Sequence, residues 1–259
     1  MSYMELILHM QPERQFVYGA VTDNVSFTRL TRRRRLFVVR ETQFGVEHGA
    51  EEILNWMLHA TQETLGYKAV IPPGVEFKTT GVLGWGAFAV AYSGKWNNKD
   101  VVYKHFGINI AEYDREVRAL QLLNWHGVRH VPVLEDHIPD WNCTLATPVG
   151  VPFSQRRLPT LTQALQLIDT VEAAYNVGVL HMDIKCSNIF SVGADMLLND
   201  WSNSEESRDV DRIKQDIRLA VRTISSLWDP CNTNDTYNYS PTDYTAARAM
   251  LERIRPKPI

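Results

Sequence analysis

The chain has 259 residues, 44% of them apolar and 22% charged, which is enough for a sizeable core and one or two domains. A formal net charge of -3 argues against a protein built mainly around phosphate-backbone binding, and the chain carries no strong nucleic-acid signal. Cys143, Cys186 and Cys231 are odd in number and lack a C-x-x-C pair, so neither a disulfide framework nor a zinc site is expected.

No charged-then-apolar leader and no apolar run of membrane-spanning length occur, so the expectation is an intracellular protein, cytoplasmic or nuclear, with no membrane partner. Residues 1–45 read as β-rich. Phe16-Val17-Tyr18 and Val25-Ser26-Phe27-Thr28-Arg29-Leu30 flank the turn residues Thr22-Asp23-Asn24, and Leu36-Phe37-Val38-Val39 continues the pattern. Arg32 to Arg35 stand between the last two runs. Such a run serves nuclear import or an anionic partner, or it is a solvated hairpin tip or strand edge whose charge discourages edge-to-edge pairing. The second reading is the simpler one. Ala50 to Leu65 has helical spacing at Ile53, Leu54, Met57, Leu58 and Leu65, with Gly66 placed to close it. Pro72-Pro73-Gly74 then breaks the chain and sets the first boundary.

From Lys78 the pattern sharpens into a glycine-rich hairpin, Leu83-Gly84-Trp85-Gly86-Ala87-Phe88-Ala89-Val90-Ala91-Tyr92-Ser93-Gly94-Lys95-Trp96. Asn97-Asn98-Lys99-Asp100 supplies the turn to a strand, Val101-Val102-Tyr103-Lys104. A helix follows around Glu112 to Leu123 and buries Val117, Leu120 and Leu123. His126, His130 and His137 match no zinc spacing and read as loop and strand histidines. Pro148, Pro152 and Pro159 mark an extended connector, not a helix. Leu161, Leu165, Ile168, Val171 and Tyr175 mark a helix over 162–176 that Gly178 ends. A further helix carries Ile213, Ile217, Ala220, Val221, Ile224, Leu227 and Trp228 on one face, with Asp216 on its course. Asn232 to Thr236 is a polar loop. The last helix is expected to start at Ser240 as N-cap with Pro241 at its first position, and to place Tyr244, Ala247, Leu251 and Ile254 on one face before Pro256.

One turn organises the rest. His181-Met182-Asp183-Ile184-Lys185-Cys186-Ser187-Asn188, followed by Leu197-Leu198-Asn199-Asp200, resembles the catalytic loop of the protein-kinase fold, H-R-D-x-x-x-x-N, and the aspartate of its D-F-G. Phosphates carried by magnesium need hard oxygen ligands, and an Asn five residues past an Asp reaches the metal while the Asp faces the acceptor hydroxyl. Gly84, Gly86 and Phe88 resemble that family's glycine-rich loop, and Lys104 stands where its V-A-I-K lysine stands. A strand lysine otherwise faces solvent. Glu116 resembles the helix glutamate that pairs with this lysine, with Glu112 as its rival one turn earlier. The block before Gly74 resembles the segment preceding the kinase domain in fungal-type and Crinkler-like effector kinases, on Phe16-Val17-Tyr18-Gly19, the Arg29 to Arg35 region and Leu65-Gly66-Tyr67.

The resemblance covers roughly residues 78–228. It implies an α+β, bilobal protein kinase-like fold with a β-rich N-terminal extension over 1–74, a kinase N-lobe over 75–147 and a minimal, truncated C-lobe over 148–259. It further implies an ATP- and Mg2+-dependent phosphotransferase of the Ser/Thr protein-kinase kind. Asp183 would be the catalytic base and Lys185 would offset charge on the transferred group. Gly84, Gly86, Phe88, Lys104, Glu116, Thr147 and Val149 would bind ATP, Asn188 and Asp200 the metal, while His181 and Asp216 hold the loop. The acceptor would be a protein or small-molecule hydroxyl, and the N-terminal block would meet a partner of its own. A small-molecule kinase and a nucleotide-binding pseudokinase or effector interaction module are the rival readings. Departures from the family pattern are Ala89 for the third glycine, Ala91 for valine, Met182 for arginine and Trp201-Ser202 for Phe-Gly. Met182 and the short stretch from Asp200 to Asp216 leave nothing for activation-loop phosphorylation to switch, no A-P-E is present, and the missing glycine disfavours a flip of the Asp200 triplet.

Overall fold

The computed structural model describes residues 71–153, 157–229 and 241–254, together with the backbone of three earlier strands. Those strands, β1 (Phe16–Thr22), β2 (Ser26–Arg33) and β3 (Val39–Gly45), form an antiparallel sheet in the order β1-β2-β3. Arg32 and Arg33 pair within β2 opposite Val17 and Phe16, so the start of the arginine run lies in a ladder and not at a hairpin tip. The third strand covers Val39–Gly45 and so runs past the expected end at Val39. Residues 34–38, the expected helix over 50–65, the polar loop at 232–236 and Cys231 lie outside the described residues.

The chain divides into two compact units, the first comprising residues 1–99, 103–109 and 139–143, the second residues 100–102, 110–138 and 144–259. β4 (Phe77–Trp85) and β5 (Val90–Trp96) form the glycine-rich hairpin, antiparallel, with register shifts between Thr79 and Gly81 and between Val82 and Gly84. β6 (Lys99–His105) follows through Asn97 and Asn98, both at positive φ (49° and 64°). Two left-handed residues in a row make the turn whose twist matches a hairpin, and asparagine tolerates that region better than most side chains. The rings of Phe77 and Tyr92 flank Tyr103 at 5.1 and 6.0 Å. Tyr103 meets Cys143 Sγ at 2.9 Å, and burial pushes the Cys143 thiol up to about 12, so it stays a neutral thiol.

The remaining elements are α1 (Ile110–Trp125), β7 (Val133–Ile138), β8 (Cys143–Thr147), β9 (Val151–Pro152), α2 (Leu161–Asn176), β10 (Val179–Leu180), β11 (Ile189–Val192), β12 (Asp195–Leu198), β13 (Glu205–Glu206), α3 (Val210–Trp228) and α4 (Tyr244–Ile254). The fold is α+β, with a five-stranded sheet in the order β4-β5-β6-β8-β7 and two smaller sheets, β12-β11-β9 and β10-β13. α2 opens on a reciprocal cap. Thr160 Oγ1 accepts the Gln163 N–H, and Gln163 Oε1 accepts the Thr160 N–H, which satisfies two of the donors a helix start leaves open. Its buried face is Ala164, Leu167, Ile168, Val171 and Ala174, and Gly178 at φ 90° carries the chain away. α3 is capped by Asp209, whose carboxylate accepts the N–H groups of Asp211 and Arg212. It buries Ile213, Ile217, Ala220, Val221 and Ile224 against the same core.

The last helix starts later than its sequence suggests. Asp243, not Ser240, is the cap: its carboxylate accepts the Ala246 N–H at 2.8 Å and its carbonyl the Ala247 N–H. An aspartate one residue before the apolar face offers the better-placed acceptor, so the Pro241 stretch stays outside the helix. Arg248 on α4 donates to Asp169 of α2 at 2.7 and 3.0 Å and pairs with Glu172 as well. No helix among the described residues is long and apolar enough to cross a membrane.

The hairpin makes one testable demand. A Cβ on Gly94 would stand 2.6 Å from the Lys78 carbonyl oxygen and collide with the Phe77 ring. Gly94→Ala is therefore expected to destabilise the chain by about 1–3 kcal/mol in urea or thermal denaturation. An unchanged midpoint would contradict this packing.

Candidate active site

The site is built on the turn that leaves β10. Asp216, on the buried face of α3 and 1% exposed, accepts the His181 N–H at 2.6 Å through Oδ2 and the Met182 N–H at 2.9 Å through Oδ1. Two successive N–H groups can converge on one carboxylate because Met182 sits at φ 64°, in the left-handed region. That conformation is unfavourable for methionine and persists because the clamp holds it. Burial pushes the Asp216 carboxyl up from its ordinary value, and His181 and the two N–H donors pull it back.

His181 is 1% exposed and wired in one tautomer. Its Nε2–H donates to the Asn199 carbonyl at 2.9 Å, and its Nδ1 accepts the Asp183 N–H at 3.2 Å. A second ring proton would break the Asp183 contact, so the geometry asks for neutral imidazole. Burial acts in the same direction and lowers the His181 pKa below 6.5. The ring lies 4.6 Å from that of Trp201. Trp201 is wholly buried, and its indole N–H donates to the Leu198 carbonyl at 3.0 Å, so the large ring leaves no donor unsatisfied.

Above this base the functional side chains gather. Asp183 Oδ2 accepts from Lys185 Nζ at 2.7 Å, from Asn188 Nδ2 at 3.2 Å and from Asn203 Nδ2 at 3.3 Å. Asn188 Nδ2 also donates to the Asp183 carbonyl at 2.9 Å, which closes the short 3₁₀ turn Cys186–Asn188. Ile184 is fixed by the Thr223 hydroxyl of α3, which donates to its carbonyl at 3.1 Å. Asp200, itself at φ 64°, accepts the Ser202 hydroxyl at 2.8 Å through Oδ1. From α1, Arg115 Nε–H reaches the Ser202 carbonyl at 2.8 Å.

A cation would find oxygen donors here. The Asn188 amide nitrogen is committed to Asp183, so its Oδ1 faces away, with one lone pair given to the Ser187 hydroxyl at 3.3 Å. Asp200 adds a carboxylate, one oxygen of which accepts the Ser202 hydroxyl. Among the described residues no group of three or more His, Cys, Asp or Glu side chains gathers as a metal cage. An amide and a carboxylate suit a hard cation that keeps water and phosphate oxygens in its shell, and they suit zinc poorly.

His181, Asp183, Lys185, Asn188, Asp200 and Asp216 are thus neighbours within the second unit. Glu116 lies on the buried face of α1 at 3% exposure, whereas its rival Glu112 forms an ion pair with Arg115 at 2.7 Å. Thr147 donates its hydroxyl to Glu135 at 2.9 Å, and Val149 follows on the half-buried connector. In the first unit, Lys104 Nζ lies 4.8 Å above the Phe106 ring. Phe88 is exposed, and its carbonyl accepts the Asn109 side chain at 2.7 Å, which pins the hairpin loop. A Cβ added at Gly84 or Gly86 would meet nothing within 4 Å, so open space borders the loop backbone at both positions. Arg115 and Asn203 are the participants that motif reading misses, because neither occupies a position the family pattern names.

No family model matches the chain. Over 158 residues it is 26% identical to a probable bifunctional tRNA threonylcarbamoyladenosine biosynthesis protein of Methanothermobacter thermautotrophicus, a match covering 56% of this chain and 29% of that protein. The chain therefore spans less than a third of the length of this relative. The similarity corrects the expectation of a Ser/Thr protein kinase: it leads to a protein named for tRNA modification, not for protein phosphorylation.

The buried imidazole predicts a pH response. Its folded pKa is lowered from 6.5, so below that value the unfolded chain takes up a proton that the folded chain refuses. The His181 contribution is complete above pH 6.5 and is lost as the pH falls below it. Asp216 acts in the opposite sense, because its raised carboxyl protonates first in the folded state as the pH falls toward 3.8. Thermal midpoints measured from pH 7.5 to 5 should fall for the parent and flatten for His181→Gln; parallel curves would contradict the assignment.

Proposed function

We propose that the chain is a kinase-like, ATP-binding enzyme that serves the biosynthesis of threonylcarbamoyladenosine on tRNA. The observation that carries the chemical half of this reading is the convergence of Lys185 and Asn188 on Asp183 above the Asp216 clamp. The biological half rests on the relative named for that modification. In this reading the fold is bilobal, with the extension, N-lobe and truncated C-lobe bounded at residues 74 and 147.

ATP bound with Mg2+ would supply an activated phosphoryl group. The open backbone at Gly84 and Gly86 leaves room for phosphate oxygens, with Phe88 at the loop tip. Lys104 would supply positive charge to the phosphates. The backbone between Thr147 and Val149 meets the adenine edge. Asn188 Oδ1 and the Asp200 carboxylate hold the cation. Asp183 orients the attacking oxygen and draws its proton, while Lys185 offsets the charge that develops on the phosphoryl group. With a net charge of -3, the chain leaves contact with the tRNA backbone to a partner. The reading needs no phosphorylated switch, since Met182 offers no cation to receive a phosphate.

Two measurements test this. Asp183→Asn should lower ATP turnover in the presence of Mg2+ by about 100-fold or more, while the thermal shift induced by ATP persists. In cells that depend on the chain, the wild type should restore threonylcarbamoyladenosine in digested tRNA, read by mass spectrometry, and Asp183→Asn should not. Restoration by the variant rejects the role of Asp183, and unchanged nucleoside content on loss of the chain rejects the tRNA assignment.

A further inference from the structure

We infer that Asn203 is a positioning residue for Asp183, holding one carboxylate oxygen so that the other alone faces the attacking atom. The inference rests on the role just proposed for Asp183. Three donors, on Lys185, Asn188 and Asn203, all reach Oδ2 of Asp183, and Oδ1 accepts no hydrogen bond from the described residues. Two of those donors lie on the same turn as Asp183. They move with it and fix the carboxylate only relative to its own loop.

Asn203 differs because it is brought from 20 residues away on an independently anchored element. It ends the 3₁₀ turn Trp201–Asn203, which the buried Trp201 ring, its bond to the Leu198 carbonyl, and the Ser204 N–H donating to the Trp201 carbonyl all hold. Arg115 fastens the same turn from α1 through the Ser202 carbonyl. Asp200 immediately precedes this turn, and Ser202 on the turn holds its carboxylate. One rigid segment thus carries both a cation ligand and the cross-brace of the base. The distance between the base and the cation is set by that segment together with the clamped turn. The Trp201-Ser202-Asn203 sequence, which departs from the Phe-Gly pattern, supplies the hydroxyl and the amide that make the brace.

The test uses the full chain, with ATP and Mg2+ as probe and water as acceptor. Asn203→Leu is expected to lower kcat by about 10- to 100-fold with KM for ATP within about twofold, because binding is spared and orientation is not. Asn203→Asp, isosteric but lacking the donor, should show the same split and serves if the leucine variant fails to fold. The deciding readout is the double variant. In an Asp183→Asn background, either change at position 203 should alter the residual rate by less than about twofold, because a brace acts only through what it braces. Equal losses in both backgrounds, or a wild-type kcat for both single variants, would overturn the inference. Wild-type turnover by Asp183→Asn alone would instead overturn the role of Asp183, and this inference with it.

Discussion

The carboxylate of Asp216 accepts two successive backbone N–H groups from a turn 34 and 35 residues earlier in the chain, and the rest of the site hangs from that clamp. Burying a carboxylate is expensive unless hydrogen bonds replace its water, and here two short N–H bonds do so. In return the clamp holds Met182 in a left-handed conformation that it would otherwise leave. A left-handed residue at this point swings the following Asp183 out of the core, where a regular strand would carry its backbone onward. His181 completes the arrangement from the other side. One ring nitrogen donates to Asn199 beside Asp200, and the other accepts from Asp183, so a single imidazole spaces the two aspartate-bearing segments.

The second constraint is packing. Trp201 fills the volume beside His181 without stranding its N–H. The ring is part of the buried cluster to which α1, α2, α3 and α4 all contribute. Swinging it out would open a large cavity and break a buried hydrogen bond together, two independent penalties of several kcal/mol in sum. The segment that carries Asp200 is therefore fixed by the core itself. Ser202, where a glycine would give freedom, adds a further bond to Asp200.

The chemistry of such a turn says little about what is acted upon. In the proposed function, Asp183, Lys185 and Asn188 would orient an oxygen beside a phosphoryl group and a cation. The acceptor is chosen by surfaces elsewhere, which a short motif does not encode. That is why an expectation of protein phosphorylation can follow from the turn and still be overturned by similarity to a protein named for tRNA modification. A motif of this length can at most suggest a chemistry, and a partner is chosen by the rest of the molecule.

The sequence by itself determined the elements whose signal is local. Apolar residues at helical spacing marked α2 and α3 to within a few residues, because each helix buries one face and the period of 3.6 must show in the chain. Paired asparagines marked the turn into β6, since few residues accept two positive φ values. Other features were decided only by the tertiary structure. Asp243 rather than Ser240 caps α4, because both are good caps and only docking on the core selects between them. Arg32 and Arg33 join a strand because a partner ladder exists for them. Asn203 meets Asp183 across 20 residues, and Arg115 meets Ser202 across 87, because folding brings together side chains that no spacing rule relates. Periodicity records what one element buries, and a contact between elements leaves no period behind.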